Sequence, residues 1–420
     1  MTHLEIIPLK QPISVALRIP GSKSYTNRAL ILAALTKGSV TLQNPLYSED
    51  TAAMITCLQT LGIEIEIKAN ELTLHGDIFS IANKNYKLFA KDSGTTVRFL
   101  LALLCIVPGV KRLEGNKRLN ERPIKDLVDS LRELGAHIDY CEQEGQLPVQ
   151  ISSSSLSKKS VHLKSDQSSQ FCSALLMIAP YLPQGLTIHL TSPLISKTYV
   201  DMTIGCMQDW GAAVFTEKEK NYFIPAQPGY QKAHYKIEGD FSSAGYFFAA
   251  AALTNSTLFL ENLNPFSAQP DRKFLTILEK MGSIVSYENT HIRIQGKQIC
   301  ALEIDMEDCP DQVMTLAVLS AFCEGTTKIS GVRSLRLKET ERVIALKTEL
   351  KKMGIQTEDT YDTLTIYGGL PKAASIDTYN DHRMAMAFAI AGLRIPKIII
   401  RHPEVVNKTF PTFWDHLKSL

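Results

Sequence analysis

Apolar residues along this chain gather into six dense stretches of helical length, at residues 29–35, 99–106, 171–179, 246–253, 313–322 and 384–393. A short polar motif rich in Ser, Gly or Asp precedes each one. These motifs begin near Ser22, Ser93, Ser168, Ser242, Pro310 and Asp381, so the successive spacings by subtraction are 71, 75, 74, 68 and 71 residues. A helix that is apolar all round has no face to offer water, and each stretch therefore predicts a buried helix. Behind each comes an amphipathic pattern. Five of these stop at a glycine, Gly62, Gly135, Gly211, Gly282 or Gly354, placed as a C-terminal helix cap and followed by a strand-like run.

One repeat thus reads strand, buried helix, strand, amphipathic helix and two strands. A period of about 70 residues is too long for a solenoid unit, so the repeats are small α/β modules. The Pro/Gly-bearing stretch 225–232 leaves three repeats on each side, and a second crossing is expected near residues 18–21. The predicted domains are residues 1–19 with 232–420, holding both termini and repeats four to six, and an inserted domain of residues 20–231 with repeats one to three. The sixth amphipathic helix, expected over residues 410–420, has no strands behind it, whereas residues 4–19 supply strands with no helix before them. The two ends are expected to complete one module.

With 420 residues, 45% hydrophobic and 21% charged, the chain can bury a sizeable core. A formal net charge of +2 and the lack of a long basic run argue against a nucleic-acid surface. No apolar run approaches the roughly 20 residues of a membrane span, and no secretory or transit pattern opens the sequence. The expectation is a cytoplasmic monomer. Eight cysteines lie scattered without a Cys-x-x-Cys pair, mostly in apolar helices, and no metal-ligand spacing occurs, so neither a metal nor a cofactor is expected.

Charge becomes informative at the helix starts, where backbone N–H groups favour anions over cations. Cations nevertheless cluster there: Lys23 and Arg28 at the first buried helix, Arg98 at the second, Arg383 at the sixth, and Arg122, Lys338 and Arg342 opening amphipathic helices. Lys338 and Arg342 stand four apart, an unfavourable like-charge pair on an isolated helix. A bound anion would make these placements favourable. The competing account is that Asp92, Glu121, Asp381 and Glu339 neutralise them. Ser22, Ser24, Ser93, Thr95, Ser168, Ser169, Ser242 and Ser243 cluster at the same starts; one such residue alone is an N-cap, but Ser168-Ser169-Gln170 with Ser196-Lys197 could wrap a phosphate. Gly94 permits a close backbone approach. Asp311 and Glu339 open the two helices of the fifth repeat and are expected on one edge. Glu339 lies between Lys338 and Arg342, as proton transfer to or from a phosphorylated substrate would require.

Pro20-Gly21-Ser22-Lys23-Ser24 with Asn27-Arg28-Ala29-Leu30 closely resembles the opening motif of the 5-enolpyruvylshikimate-3-phosphate synthases, within the enolpyruvyl transferase family. The resemblance runs on through Gly94-Thr95 with Arg98, Glu121-Arg122-Pro123-Ile124, Ser168-Ser169-Gln170-Phe171, Ser196-Lys197 with Tyr199, Pro310-Asp311, Lys338-Glu339-Thr340 with Arg342, Tyr379-Asn380-Asp381-His382-Arg383-Met384-Ala385-Met386, and Lys408-Thr409-Phe410-Pro411. It implies the enolpyruvyl transferase fold, an inside-out α/β barrel of two similar domains, each three βαβαββ repeats around buried helices, closing over a substrate cleft. It also implies transfer of the carboxyvinyl group of phosphoenolpyruvate to the 5-hydroxyl of shikimate 3-phosphate, releasing phosphate, on the route to chorismate and aromatic amino acids.

By the same resemblance, shikimate 3-phosphate would meet Lys23, Ser24, Arg28, Ser168, Ser169, Gln170, Ser196, Tyr199, Asp311 and Lys338. Phosphoenolpyruvate would meet Lys23, Gly94, Arg122, Gln170, Arg342, Arg383 and Lys408. Asp311 resembles the acceptor of the 5-hydroxyl proton, Glu339 the donor to the methylene carbon, and Lys23 touches both substrates. Asp92, Phe99 and Ser334 depart from the family pattern. The sister transferase acting on UDP-N-acetylglucosamine uses a loop cysteine, and residues 111–121 here hold none. A P-loop hydrolase would need Gly where this chain has Leu17 and Ser22. A non-catalytic anion-binding protein would have no use for the two acids.

Overall fold

The computed structural model describes residues 2–153, 155–288 and 291–420. The chain divides into two compact units, Lys23–Ile237 and the pair Met1–Ser22 with Glu238–Leu420. Each has its own hydrophobic core. A cut at 231/232 would sever the strand His234–Lys236 from the sheet it joins, where it runs parallel to Ser39–Gln43. Residues 20–22 belong with the other unit, because Gly21 bridges Gly239 and the Ser22 amide donates to the Glu238 carbonyl.

In Lys23–Ile237 the buried helices are Lys23–Leu35, Gly94–Leu104 and Ser169–Ile178; in the other unit they are Phe241–Thr254, Val313–Ser320 and His382–Gly392. Within each unit every buried helix touches the other two. The amphipathic helices cover the outside. In Lys125–Glu133, for example, Leu127 and Leu131 point inward one turn apart while Asp129 and Arg132 face solvent. The five cap glycines all adopt positive φ, between 81° and 118°, which a side chain would resist.

Among the described residues each unit carries three sheets, and of the six in all, five have four strands and one has three. The second repeat shows the plan. Asn85–Phe89 runs parallel to Val110–Glu114, which pairs antiparallel with Val149–Ile151, itself paired with Ile138–Tyr140. Two modules exchange their first strand: Ser14–Arg18 lies parallel to Thr257–Glu261 in the fourth repeat, while His234–Lys236 serves the first. Of the N-terminal strands, only His3–Ile6 completes the sixth module, pairing with Ile398–Arg401. The last helix is Phe413–Lys418, shorter than the expected 410–420, because Pro411 cannot join a helix interior and Thr412 stands at the N-cap.

Six of the eight cysteines are buried, and all eight are free thiols. Burial pushes the thiols of Cys57, Cys105, Cys206 and Cys323 up to about 12, which keeps them protonated and unreactive. Among the described residues no helix is long and apolar enough to cross a membrane.

Candidate active-site residues

Polar side chains cap four of the six buried helices and thereby fix where the neighbouring functional groups project. Ser93 accepts from the Thr96 amide, Ser168 from Gln170, Asp240 from Ser243 and Asp381 from Arg383. The fourth helix is therefore capped by Asp240 rather than Ser242, whose hydroxyl instead donates to Asp271.

In Lys23–Ile237 the predicted residues lie in several small groups of contacts. Lys23 Nζ lies 3.2 Å from the buried Asp50 carboxylate. Arg28 is buried and donates to Thr203 Oγ1 at 2.8 Å and to the carbonyls of Ser24 and Tyr199, each at 3.1 Å. Its guanidinium sits 5.3 Å from the centre of the Phe99 ring, so the departure at Phe99 supplies a cation–π face. All of these partners are neutral, and burial pushes Arg28 down to about 10. Such a charge gains most from an incoming anion.

Arg98 Nη1 donates to Gln170 Oε1 at 2.7 Å, and Gln170 Nε2 donates to Thr95 Oγ1 at 3.0 Å, tying the second and third helix starts together. A Cβ built on Gly94 would stand 2.8 Å from Arg122 Nη1, so glycine lets that guanidinium lie flat on the backbone. Ser168, Ser169, Ser196 and Tyr199 complete this set. Ser196 adopts φ 50° and its carbonyl accepts from the Tyr199 amide at 3.1 Å. Two of the acids expected beside these cations have further partners. Asp92 accepts from Asn116 Nδ2 at 2.6 Å, and Glu121 pairs with Arg118 at 3.3 Å.

In the other unit Arg342, Arg383 and Lys408 all lie against acids. Arg342 is buried, and its guanidinium reaches Asp381 at 2.7 Å, Glu339 at 2.9 Å and Asp311 at 3.3 Å. Burial alone would lower its pKa, but the carboxylates of Asp381, Glu339 and Asp311 reverse that and raise it. Asp311 also accepts from Arg383 Nη2 at 2.6 Å, and Lys408 Nζ lies 3.4 Å from Glu339. Asp381 and Glu339 thus neutralise Arg342 as the competing account held. That same arrangement brings the two candidate acids onto one guanidinium. Lys338 and Glu339 do not open a helix: the helix is Arg342–Lys352, capped by Glu341, and residues 338–341 form the preceding loop. The Lys338/Arg342 like-charge pair therefore does not arise within a helix.

Asp271 escaped the sequence reading. It is buried beside Ser242, with Cys309 Sγ 3.3 Å from its Oδ1. Burial and then the Asp311 carboxylate push it up to about 6, against the pull of Arg383. The folded chain accordingly prefers the neutral acid, a contribution fully present below the ordinary 3.8 and lost as pH rises through about 6. The Asp271→Asn variant, neutral at every pH, should gain in melting temperature relative to the parent between pH 5 and pH 8. A difference that stays flat or falls over that range would contradict this.

The family model for EPSP synthase (3-phosphoshikimate 1-carboxyvinyltransferase) matches residues 8–417. Relatives of that name include one from Nostoc punctiforme, 40% identical over 417 residues and covering 99% of this chain and 98% of the relative. Another, from Shewanella sp., is 39% identical over 426 residues with both chains fully covered. An EPSP synthase structure from Acinetobacter baumannii superposes with a TM-score of 0.83 at 25% identity, covering 100% of this chain and 98% of that one. With a shared fold, a family match over nearly its whole length and these relatives, the chain belongs to the EPSP synthase family.

Proposed function

We propose a division of labour for the reaction this enzyme carries out, the transfer of the carboxyvinyl group of phosphoenolpyruvate to shikimate 3-phosphate with release of phosphate. Shikimate 3-phosphate is held by Lys23, Ser24, Arg28, Gln170, Tyr199 and Lys338, with Ser168, Ser169 and Ser196 on its phosphate. Phosphoenolpyruvate is held by Arg122 against Gly94, by Gln170, and by Arg342, Arg383 and Lys408. Lys23 meets both. The observation that carries this reading is Asp311 bridging Arg342 and Arg383 while Glu339 sits on the same guanidinium.

The arrangement gives the acids a reason to be paired before substrate arrives. A phosphoenolpyruvate carboxylate or phosphate taking over Arg342 and Arg383 leaves Asp311 with less positive charge, so its affinity for a proton rises just when the 5-hydroxyl is present. Asp311 then takes that hydroxyl proton as the oxygen attacks C2 of phosphoenolpyruvate. Glu339 gives a proton to C3, which becomes a methyl group. In the second half Glu339 removes a methyl proton, the C2–O bond to phosphate breaks, and Asp311 returns its proton to the leaving group.

We place the enzyme in the cytoplasm as a monomer without a nucleic-acid or membrane partner. Eight free thiols suit a reducing compartment, and near-neutral net charge suits small anionic substrates better than a polyanion. With phosphoenolpyruvate supplied, phosphate should be released with shikimate 3-phosphate and not with UDP-N-acetylglucosamine. Release only with the nucleotide sugar would overturn the acceptor.

A further inference from the structure

We infer that Glu349 is a positioning residue that holds the segment 377–383 in register, and with it the guanidinium of Arg383. The inference rests on the assignment of Arg342 and Arg383 to phosphoenolpyruvate. Glu349 is fully buried in the helix Arg342–Lys352, two turns beyond Arg342 on nearly the same side. A buried carboxylate needs partners, and four hydrogen bonds supply them. Its Oε1 accepts from the Tyr379 hydroxyl at 2.5 Å and from Lys352 Nζ at 2.9 Å. Its Oε2 accepts from the Asp377 amide at 3.1 Å and again from Lys352 at 2.8 Å. Lys352 also reaches the Asp377 carboxylate at 2.6 Å.

The segment so held turns through two consecutive left-handed residues, Tyr379 at φ 53° and Asn380 at φ 55°. Tyrosine is not a residue that adopts this conformation readily, so the turn needs outside support. Glu349 provides it at Asp377 and Tyr379, and the Asp381 amide closes the turn on the Thr378 carbonyl at 2.8 Å. The next contact along is Asp381 with Arg342, and after it Arg383 with Asp311. One helix therefore clamps the segment at two points. The first belongs to the assigned binding residues, while the second, Glu349, lies outside them and has no other evident task. Burial, followed by the bond to Glu349, raises the Tyr379 pKa, consistent with its hydroxyl acting as donor.

The Glu349→Gln variant presents an amide N–H₂ to a site filled with donors, so the clamp should loosen. The KM for phosphoenolpyruvate at saturating shikimate 3-phosphate should then rise about ten- to hundred-fold, while that for shikimate 3-phosphate stays as in the parent. The Tyr379→Phe variant, which removes one of the four bonds and should fold normally, should shift the same constant in the same direction by less; it carries the test alone if Glu349→Gln does not fold. Arg383→Lys serves as the reference. If it raises the phosphoenolpyruvate KM and neither of the others does, or if they only lower the melting temperature, the positioning role is overturned. If Arg383→Lys leaves that KM unchanged as well, the assignment of Arg383 to phosphoenolpyruvate falls.

Discussion

Replacing Glu339 by Gln or Asp311 by Asn should lower kcat by about 10²–10⁴-fold while leaving either KM within roughly three-fold of the parent. The amide analogues keep the shape and an oxygen acceptor for Arg342, which both acids contact. What they lose is the ability to take and return a proton. Glu339 is assigned to hold neither substrate, and Asp311 meets shikimate 3-phosphate at the 5-hydroxyl, where an amide oxygen can still accept, so binding should survive. Steady-state kinetics with both substrates varied separates the two parameters, and turnover within ten-fold of the parent in either variant would remove that residue from the chemistry. Asp311 carries an added sensitivity, because it also neutralises Arg383. Its Asn variant leaves two arginines short of charge, and any tightening of phosphoenolpyruvate binding that follows would support the exchange of partners proposed above.

The second large effect is structural. Lys111 is fully buried in the strand Val110–Glu114, and its ammonium donates to the carbonyls of Val107 at 2.6 Å, Gly109 at 2.9 Å and Ser153 at 2.6 Å. Burial lowers its pKa to about 8, so it is still charged at neutral pH. Lys111→Met keeps the side chain out to the ε carbon and removes the ammonium with its three donors. Each carbonyl left bare costs about 1–3 kcal/mol, offset by no longer burying an ammonium, and a net loss of about 2–4 kcal/mol is expected. Over a unit of this size that corresponds to roughly 5–15 °C in melting temperature. A variant melting with the parent would mean that the three carbonyls find other donors.

These two cases mark how far the sequence can be read. The six buried helices were legible because an all-apolar stretch has one solution, and their starts because Ser93, Ser168 and Asp381 cap them through local hydrogen bonds. The same was true of the glycine caps, whose positive φ is a local demand. Pairings across the fold were not legible. Lys111 alternates with Leu113 on the inner face of its strand, where a lysine would be expected to point outward. Asp50 and Asp271 meet Lys23 and Ser242 from 27 and 29 positions away, at no spacing that marks them. The acids around Arg342 come from residues 311, 339 and 381, on separate segments. A count of charges near the helix starts predicts that cations and acids gather there. It does not predict that one unit keeps Arg28 among neutral partners while the other surrounds Arg342 with carboxylates.

The account stands or falls on whether C3 of phosphoenolpyruvate is protonated and deprotonated during turnover. The reaction run in ²H₂O and followed by mass spectrometry of the product tests this directly, with Glu339→Gln alongside. Deuterium should enter the vinyl methylene of the product formed by the parent, because a transient methyl group loses any one of its hydrogens, and should enter far more slowly with the variant. Product formed at the full rate with no deuterium in that methylene would contradict addition followed by elimination, and with it the roles given to Glu339 and Asp311.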